Sequence, residues 1–189
     1  MKNNIVLGVT GSIACYKACE IANLLAKSGF LVSVVMTKEA LEFITPLTFR
    51  HITKNPVITD MFNTPDEFSP VHTSLADRAD LILIAPATAN IIGKIASGIC
   101  DDILSATVIS SEAPVILAPA MNEKMYENKI VQENIKKLKS LGYKFVGPIK
   151  GALACGHTGI GHIAKIEEIV DEVKKALLDT KAKNLKRRT

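Results

Sequence analysis

What most constrains this chain is a rhythm of short, nearly unbroken aliphatic runs separated by longer amphipathic stretches. "NIVLGVT" (4–10), "FLVSVVMT" (30–37), "DLILIAP" (80–86) and "APVILAP" (113–119) place apolar residues at consecutive rather than alternate positions. Strands of that kind need cover on both faces, the condition of a parallel sheet between two helical layers. The intervening stretches supply the helices. Helical patterning is expected over residues 13–27, stopping at Gly29, and over 38–43, stopping before Pro46. It returns after the polar loop 63–70 as a short helix, then over 89–97 and 102–110, in two helices after the 113–119 run, and over 166–178, with one more strand at 143–148. The expected fold is α/β, a three-layer Rossmann-like arrangement with a parallel sheet covered by helices on both faces.

At 189 residues, 48% hydrophobic and 22% charged, the chain suits one domain, taken as residues 1–179. The net charge of +4 misleads. Residues 180–189 hold five basic residues and no acidic one, so the body without them carries −1. The basic balance belongs to a tail, read as flexible, and implies no nucleic-acid partner. "LILIAPATANIIGKIA" is broken by Pro86, Asn90 and Lys94, short of the ~20 apolar residues of a membrane span. The apolar N-terminal run leads into Gly8 and Gly11 rather than a cleavage site. No membrane partner is expected, the cytoplasm is the expected location, and four cysteines without paired spacing read as free thiols.

A doubly wound sheet binds ligands at the carboxyl ends of its strands, near the point where strand order reverses. Here those ends follow Val9, Met36, Ala85, Ala118 and Val146. In "GVTGSIACYK" (8–17), Gly11 permits close backbone approach and Ser12 sets a hydroxyl beside unpaired helical N–H groups, which suits a phosphate. A plain strand-to-helix turn with Ser12 as N-cap explains the segment equally well, since neither G-x-G-x-x-G nor a Walker pattern is present. "APATANIIGK" (85–94) combines small residues with Thr88 and Asn90, leaving room for a flat ligand, although Thr88 also reads as a helix cap. "APAMNEKMYEN" (118–128) repeats the Ala-Pro-Ala start, and two such strand ends suggest a pocket wall. Cys15 and Cys19 share a helix face but no third ligand stands at metal-site spacing, so they read as core. His51 reads as a surface position on a helix, and His72, alone in "SPVHTSLA", is of a type more often surface or capping than catalytic. Cys155 differs from the other thiols: "GALACGHTGIGHIA" (151–164) is too glycine-rich to pack it. Cys155, His157 and His162 make a weak metal set, and no metal is expected.

Taken together, "GVTGSIACYK", "TPLTF", "VHTSLA", "PATANIIGKIASGICDD", "PAMNEKMYEN" and "LACGHTGIGHIA" resemble the flavin-dependent cysteine decarboxylases, over about residues 5–169. The resemblance implies FMN held at Gly11, Ser12 and Ile13, at Thr37 and Lys38, at Thr88, Ala89, Asn90 and Ile91, and at Ala120. It implies His72 as catalytic base, Asn122 as the amide that binds the substrate carboxylate, and Cys155 as a proton donor on a loop that closes over substrate, its glycines serving as hinges. The "ACG" of that loop is the pattern of the branch acting on 4′-phospho-N-pantothenoylcysteine in coenzyme A biosynthesis. There a thiol-bearing carbon is oxidised to a thioaldehyde, CO2 leaves to give an ene-thiolate, and the electrons are returned. Decarboxylation of a peptide's terminal cysteine, or a non-decarboxylating role as a regulator or prenyl-flavin maker, are the alternatives. The resemblance also implies homo-oligomers, trimers or dodecamers, with FMN at a subunit boundary. In many bacteria such a domain is fused to a synthetase, which leaves open a monofunctional enzyme or a segment of a fused one. One departure stands out: His162 and Ile163 occupy the place where many relatives carry Arg-Met.

Overall fold

A computed structural model describes residues 2–62, 70–152 and 158–186. In chain order the elements are β1 (Asn4–Val9), α1 (Cys15–Lys27), β2 (Leu31–Met36), a 3-10 turn (Lys38–Glu42), α2 (Pro46–Thr53), β3 (Val57–Ile58), α3 (Val71–Arg78) and β4 (Leu81–Ala87). They continue with α4 (Ala89–Ser97), α5 (Ile103–Ser110), β5 (Val115–Pro119), α6 (Glu123–Glu127), α7 (Lys129–Ser140), β6 (Lys144–Phe145), β7 (Ile149–Ala152), β8 (Thr158–His162) and α8 (Ile166–Lys186). Six strands form one sheet in the order β3-β2-β1-β4-β5-β6, every pair parallel. The chain winds outward from β1 to β3, then crosses back to start the other half at β4. The switch point therefore lies between β1 and β4.

Both faces of the sheet are covered, as unbroken aliphatic strands require. On β1, Ile5, Leu7 and Val9 join a cluster with Ala18, Ile21, Val170 and Val173, under α1 and α8. Val6 points the other way and joins Ile82, Ile84, Leu117, Ile92 and Leu104, under α4 and α5. Gly8 belongs to this second face, and a Cβ there would come within 2.5 Å of Leu104, so glycine lets α5 lie against the sheet. Helix ends follow local chemistry. Asp102 accepts from Ser105 N at 2.8 Å and opens α5 with a capping box, while Gly29 at φ +87° closes α1.

Besides β3, for which no strand was expected, and the 143–148 strand, which is only Lys144–Phe145, two features differ from sequence expectation. The last helix, expected to end at residue 178 where its apolar period stops, runs to Lys186, because residues 179–186 contain neither glycine nor proline. This carries it into the stretch that charge alone set apart as a tail. The glycine-rich segment near the C-terminus, expected as a loop, instead contributes an antiparallel hairpin of β7 and β8, pairing Gly151 with Gly159 and Ala152 with Thr158. Among the described residues, no helix is long and apolar enough to cross a membrane.

Candidate active site

The ends of β1, β2, β4 and β5 open onto one cleft of about 260 Å³. After β1 the chain turns tightly: Ser12 N donates to Thr10 O at 2.8 Å, Cys15 N donates to Ser12 O at 2.9 Å, and Ser12 Oγ accepts from Ala14 N at 3.3 Å. The residue at the α1 cap position is Ala14, which has no side chain to offer. Ser12 therefore closes the turn with its hydroxyl and also lines the cleft. Gly11 lines it too, and a Cβ there would collide with Glu39 Cβ, so its bareness serves the approach of the 3-10 turn.

Thr10 is buried and fastens the two halves of the sheet. Its hydroxyl donates to Pro86 O at 2.7 Å, accepts from Thr88 N at 3.2 Å, and lies 3.3 Å from Thr88 Oγ1. Thr88 in turn accepts from Ile91 N at 3.4 Å and caps α4. Thr88 thus acts as helix cap and pocket wall together, and Ala89, Asn90, Ile91 and Ala120 line the same cleft. At the end of β2, Thr37 Oγ1 faces this space buried and without a hydrogen-bond partner.

Five lining residues were given no role from sequence: Thr10, Glu39, Asp102, Met121 and Met125. Asp102 carries the strongest electrostatics. Lys94 Nζ lies 2.8 Å from Asp102 Oδ2 and 2.7 Å from Asp101 Oδ1. Burial works against the charged form of Asp102, but the bonds from Lys94 and Ser105 outweigh it and hold the carboxyl below its usual range. Burial likewise works against Lys94, and the two carboxylates outweigh it and hold the ammonium above its usual range.

Several expected residues stand apart from the cleft of one chain. Ile13 is 60% exposed, Lys38 is exposed, and neither is among the lining residues. Asn122 also lies outside the lining; it opens α6, its Oδ1 accepting from Lys124 N at 2.9 Å. His72 is the second residue of α3, half-buried, with Nδ1 buried and unpartnered. Cys155 and His157 lie outside the described residues. His162, at the end of β8, has Nδ1 2.9 Å from Ile163 O and Nε2 3.4 Å from Lys17 Nζ. His51 is exposed on α2.

The helical thiols behave as core. Cys15 is buried and donates to Thr10 O at 3.1 Å, and burial raises its pKa. Burial, with the charges of Cys15 and Glu20, pushes Cys19 up to about 11. Among the described residues, no three His, Cys, Asp or Glu side chains are grouped to hold a metal ion.

Residues 1–178 match the family described as Flavoprotein. The chain belongs to the flavoprotein family. It is 42% identical over 179 residues to a probable phosphopantothenoylcysteine decarboxylase of Streptococcus mutans, covering 94% of this chain and 100% of that one. It is 46% identical over 167 residues to the coenzyme A biosynthesis bifunctional protein CoaBC of Bacillus subtilis, covering 88% of this chain and 41% of that one. The chain thus spans about two-fifths of such bifunctional relatives. Among solved flavoprotein structures it matches a cysteine-to-serine mutant of PPC decarboxylase complexed with pantothenoylaminoethenethiol, with TM-score 0.84, 30% identity, and 92% and 97% of the two chains covered. It also matches the FMN-dependent cysteine decarboxylase SpaF, with TM-score 0.83, 29% identity, and 94% and 96% covered.

The cleft fits a flavin nucleotide. It offers hydroxyls at Ser12, Thr37 and Thr88, an amide at Asn90 and an apolar wall at Ile91, Ala120 and Met121. The orphaned Thr37 hydroxyl is the most pointed sign, because a buried polar group without a partner is costly unless a ligand satisfies it.

Proposed function

We propose that this chain is an FMN-dependent decarboxylase that converts 4′-phospho-N-pantothenoylcysteine to 4′-phosphopantetheine in coenzyme A biosynthesis. The observation that carries this reading is the cleft at the β1/β4 switch point, lined by Gly11, Ser12, Thr88 and Asn90 and presenting the unpartnered Thr37 hydroxyl. Support comes from relatives named for this activity, including one that the chain matches along its whole length.

In this reading Gly11, Ser12, Ile13, Thr37, Lys38, Thr88, Ala89, Asn90, Ile91 and Ala120 hold FMN. When bound, FMN supplies an electron sink that the substrate lacks, taking up and giving back one pair of electrons so that the net reaction is loss of CO2 alone. His72 accepts a proton from the substrate thiol or its neighbouring carbon, since an imidazole titrates near neutral pH. Asn122, at the start of α6, binds the departing carboxylate through its side-chain amide. A neutral amide binds that carboxylate without pairing so strongly as to oppose CO2 loss. Cys155 donates the proton that completes conversion of the ene-thiol to the saturated product. A cysteine-to-serine PPC decarboxylase mutant complexed with pantothenoylaminoethenethiol is consistent with such a role, because an ene-thiol is what a missing proton donor leaves behind.

The functional unit in this reading is a homotrimer, or a homododecamer assembled from trimers, with FMN at a subunit boundary. Ile13 and Met125 are 60% and 49% exposed at or next to the cleft. A cleft of about 260 Å³ lies just below the ~300–1,000 Å³ typical of ligand pockets, which suits a site completed at a subunit boundary. The free thiols of Cys15, Cys19 and Cys100 accord with a cytoplasmic setting.

The test is product identity from variants. His72→Asn and Asn122→Asp should abolish CO2 release, and Cys155→Ser should release CO2 while the ene-thiol accumulates. Wild-type turnover in the first two would overturn the assignment.

A further inference from the structure

The residue after Asn122 has so far no role. Glu123 is half-buried at the start of α6, and its Oε1 accepts the backbone N–H of Ile160, in the middle of β8, at 3.0 Å. One residue along β8 and two back along the turn, Met121 N donates to Gly161 O at 3.0 Å. The turn that carries Asn122 is therefore stitched to β8 on both sides of Asn122.

The glycines of β8 are shaped to this contact. A Cβ on Gly159 would lie 2.5 Å from the Glu123 carboxylate, so the carboxylate occupies the place a side chain would take. Gly161 stands at φ +144°, and a Cβ there would run into Met121 O. Glycines expected as hinges are, at these two positions, sites of close approach. β8 is the strand that follows the segment containing Cys155, and β7 precedes it.

We propose that Glu123 is a positioning residue that fixes β8, the strand that begins at Thr158 shortly after Cys155 in the chain, against the 121–123 turn that carries Asn122. The proposal rests on the roles given above to Asn122 and Cys155. A carboxylate accepting a backbone N–H makes a charge-assisted bond, stronger than a neutral one, and it adds to the pairing of β8 with β7 and to the Met121 N–Gly161 O bond. Lys17, 3.4 Å from His162, tethers the far end of β8 to α1 and is independent of Glu123.

The test uses the full-length, flavin-loaded protein and two readouts: hydrogen exchange at the Ile160 amide, and the ratio of ene-thiol to saturated product from 4′-phospho-N-pantothenoylcysteine. In Glu123→Ala the Ile160 amide should exchange about tenfold faster and the ene-thiol share should rise. Glu123→Gln keeps a carbonyl acceptor and should restore both, which a general loss of fold would not allow. Gly159→Ala should mimic Glu123→Ala in the wild-type background and add little in the Glu123→Ala background, where the carboxylate is gone. Unchanged exchange in Glu123→Ala would overturn the latch. Faster exchange with a wild-type product ratio would overturn its role in the chemistry. Absence of CO2 release from the wild-type protein would instead strike the proposed function, and the exchange arm would still decide whether Glu123 holds β8.

Discussion

The Thr10 hydroxyl donates to the Pro86 carbonyl at 2.7 Å and accepts from the Thr88 amide at 3.2 Å, joining the ends of β1 and β4 where the sheet changes winding direction. Thr10→Val keeps the shape of the side chain but leaves both backbone groups without this partner. The expected cost is about 1–3 kcal/mol of stability, read by urea denaturation, together with weaker FMN binding read by flavin fluorescence. Unchanged stability and affinity would show that the bond is incidental.

Thr37 gives the opposite signature. Its hydroxyl is buried and unpartnered in the flavin-free chain, so Thr37→Val should leave the apo protein equally stable or slightly more stable. The same change should weaken FMN binding by about tenfold, the worth of one hydrogen bond to a ligand. Equal destabilisation of the apo and loaded forms in thermal melts would mean that Thr37 serves the fold rather than the cofactor.

The Lys94–Asp102 pair sets a pH window. The Asp102 carboxyl is held below its usual value, so its contribution is present above about pH 4 and is lost as pH falls through the lowered value. Lys94 is held above its usual value, so its contribution is full below about pH 10 and is lost as pH rises through the raised value. Asp102→Asn keeps a helix-capping oxygen and removes the charge. The stability gap between wild type and Asp102→Asn should be flat through neutral pH and close below about pH 4, as measured by urea denaturation at several pH values.

The thiols should separate by accessibility and charge state. Cys100 is exposed, Cys15 is buried, and Cys19 is half-buried with its pKa pushed up to about 11. Since the thiolate is the reactive form, iodoacetamide at neutral pH should label Cys100 first in a Cys155→Ser background, Cys19 slowly, and Cys15 only on unfolding. Mass spectrometry of labelled peptides checks the order, and rapid labelling of Cys15 or Cys19 would contradict it.

Much of this was legible in the sequence because it is local. The runs around Leu83 and Leu117 could only be doubly covered strands, and Thr88 announces α4 as its cap. Gly11, Ser12, Thr88 and Asn90 line the cleft because strand-end position follows from topology. What escaped depends on distance in the chain. Glu39 reaches the cleft from a 3-10 turn that carries no motif, Asp102 reaches it from the cap of α5, and Thr10 matters only through Pro86 and Thr88. The β7–β8 hairpin has glycine at Gly151, Gly159 and Gly161, which erases the alternation that marks a strand. Ile13 and Lys38 adjoin lining residues in sequence yet are themselves exposed, since a turn sends neighbouring side chains in different directions.

The central claim is tested most directly by CO2 release from the FMN-loaded protein given 4′-phospho-N-pantothenoylcysteine, with a peptide ending in cysteine as the competing substrate. The expected result is FMN-dependent release of CO2 from the pantothenoyl substrate with 4′-phosphopantetheine as product, and much slower release from the peptide. CO2 release that favours the peptide, or none from either substrate by protein carrying bound FMN, would contradict it.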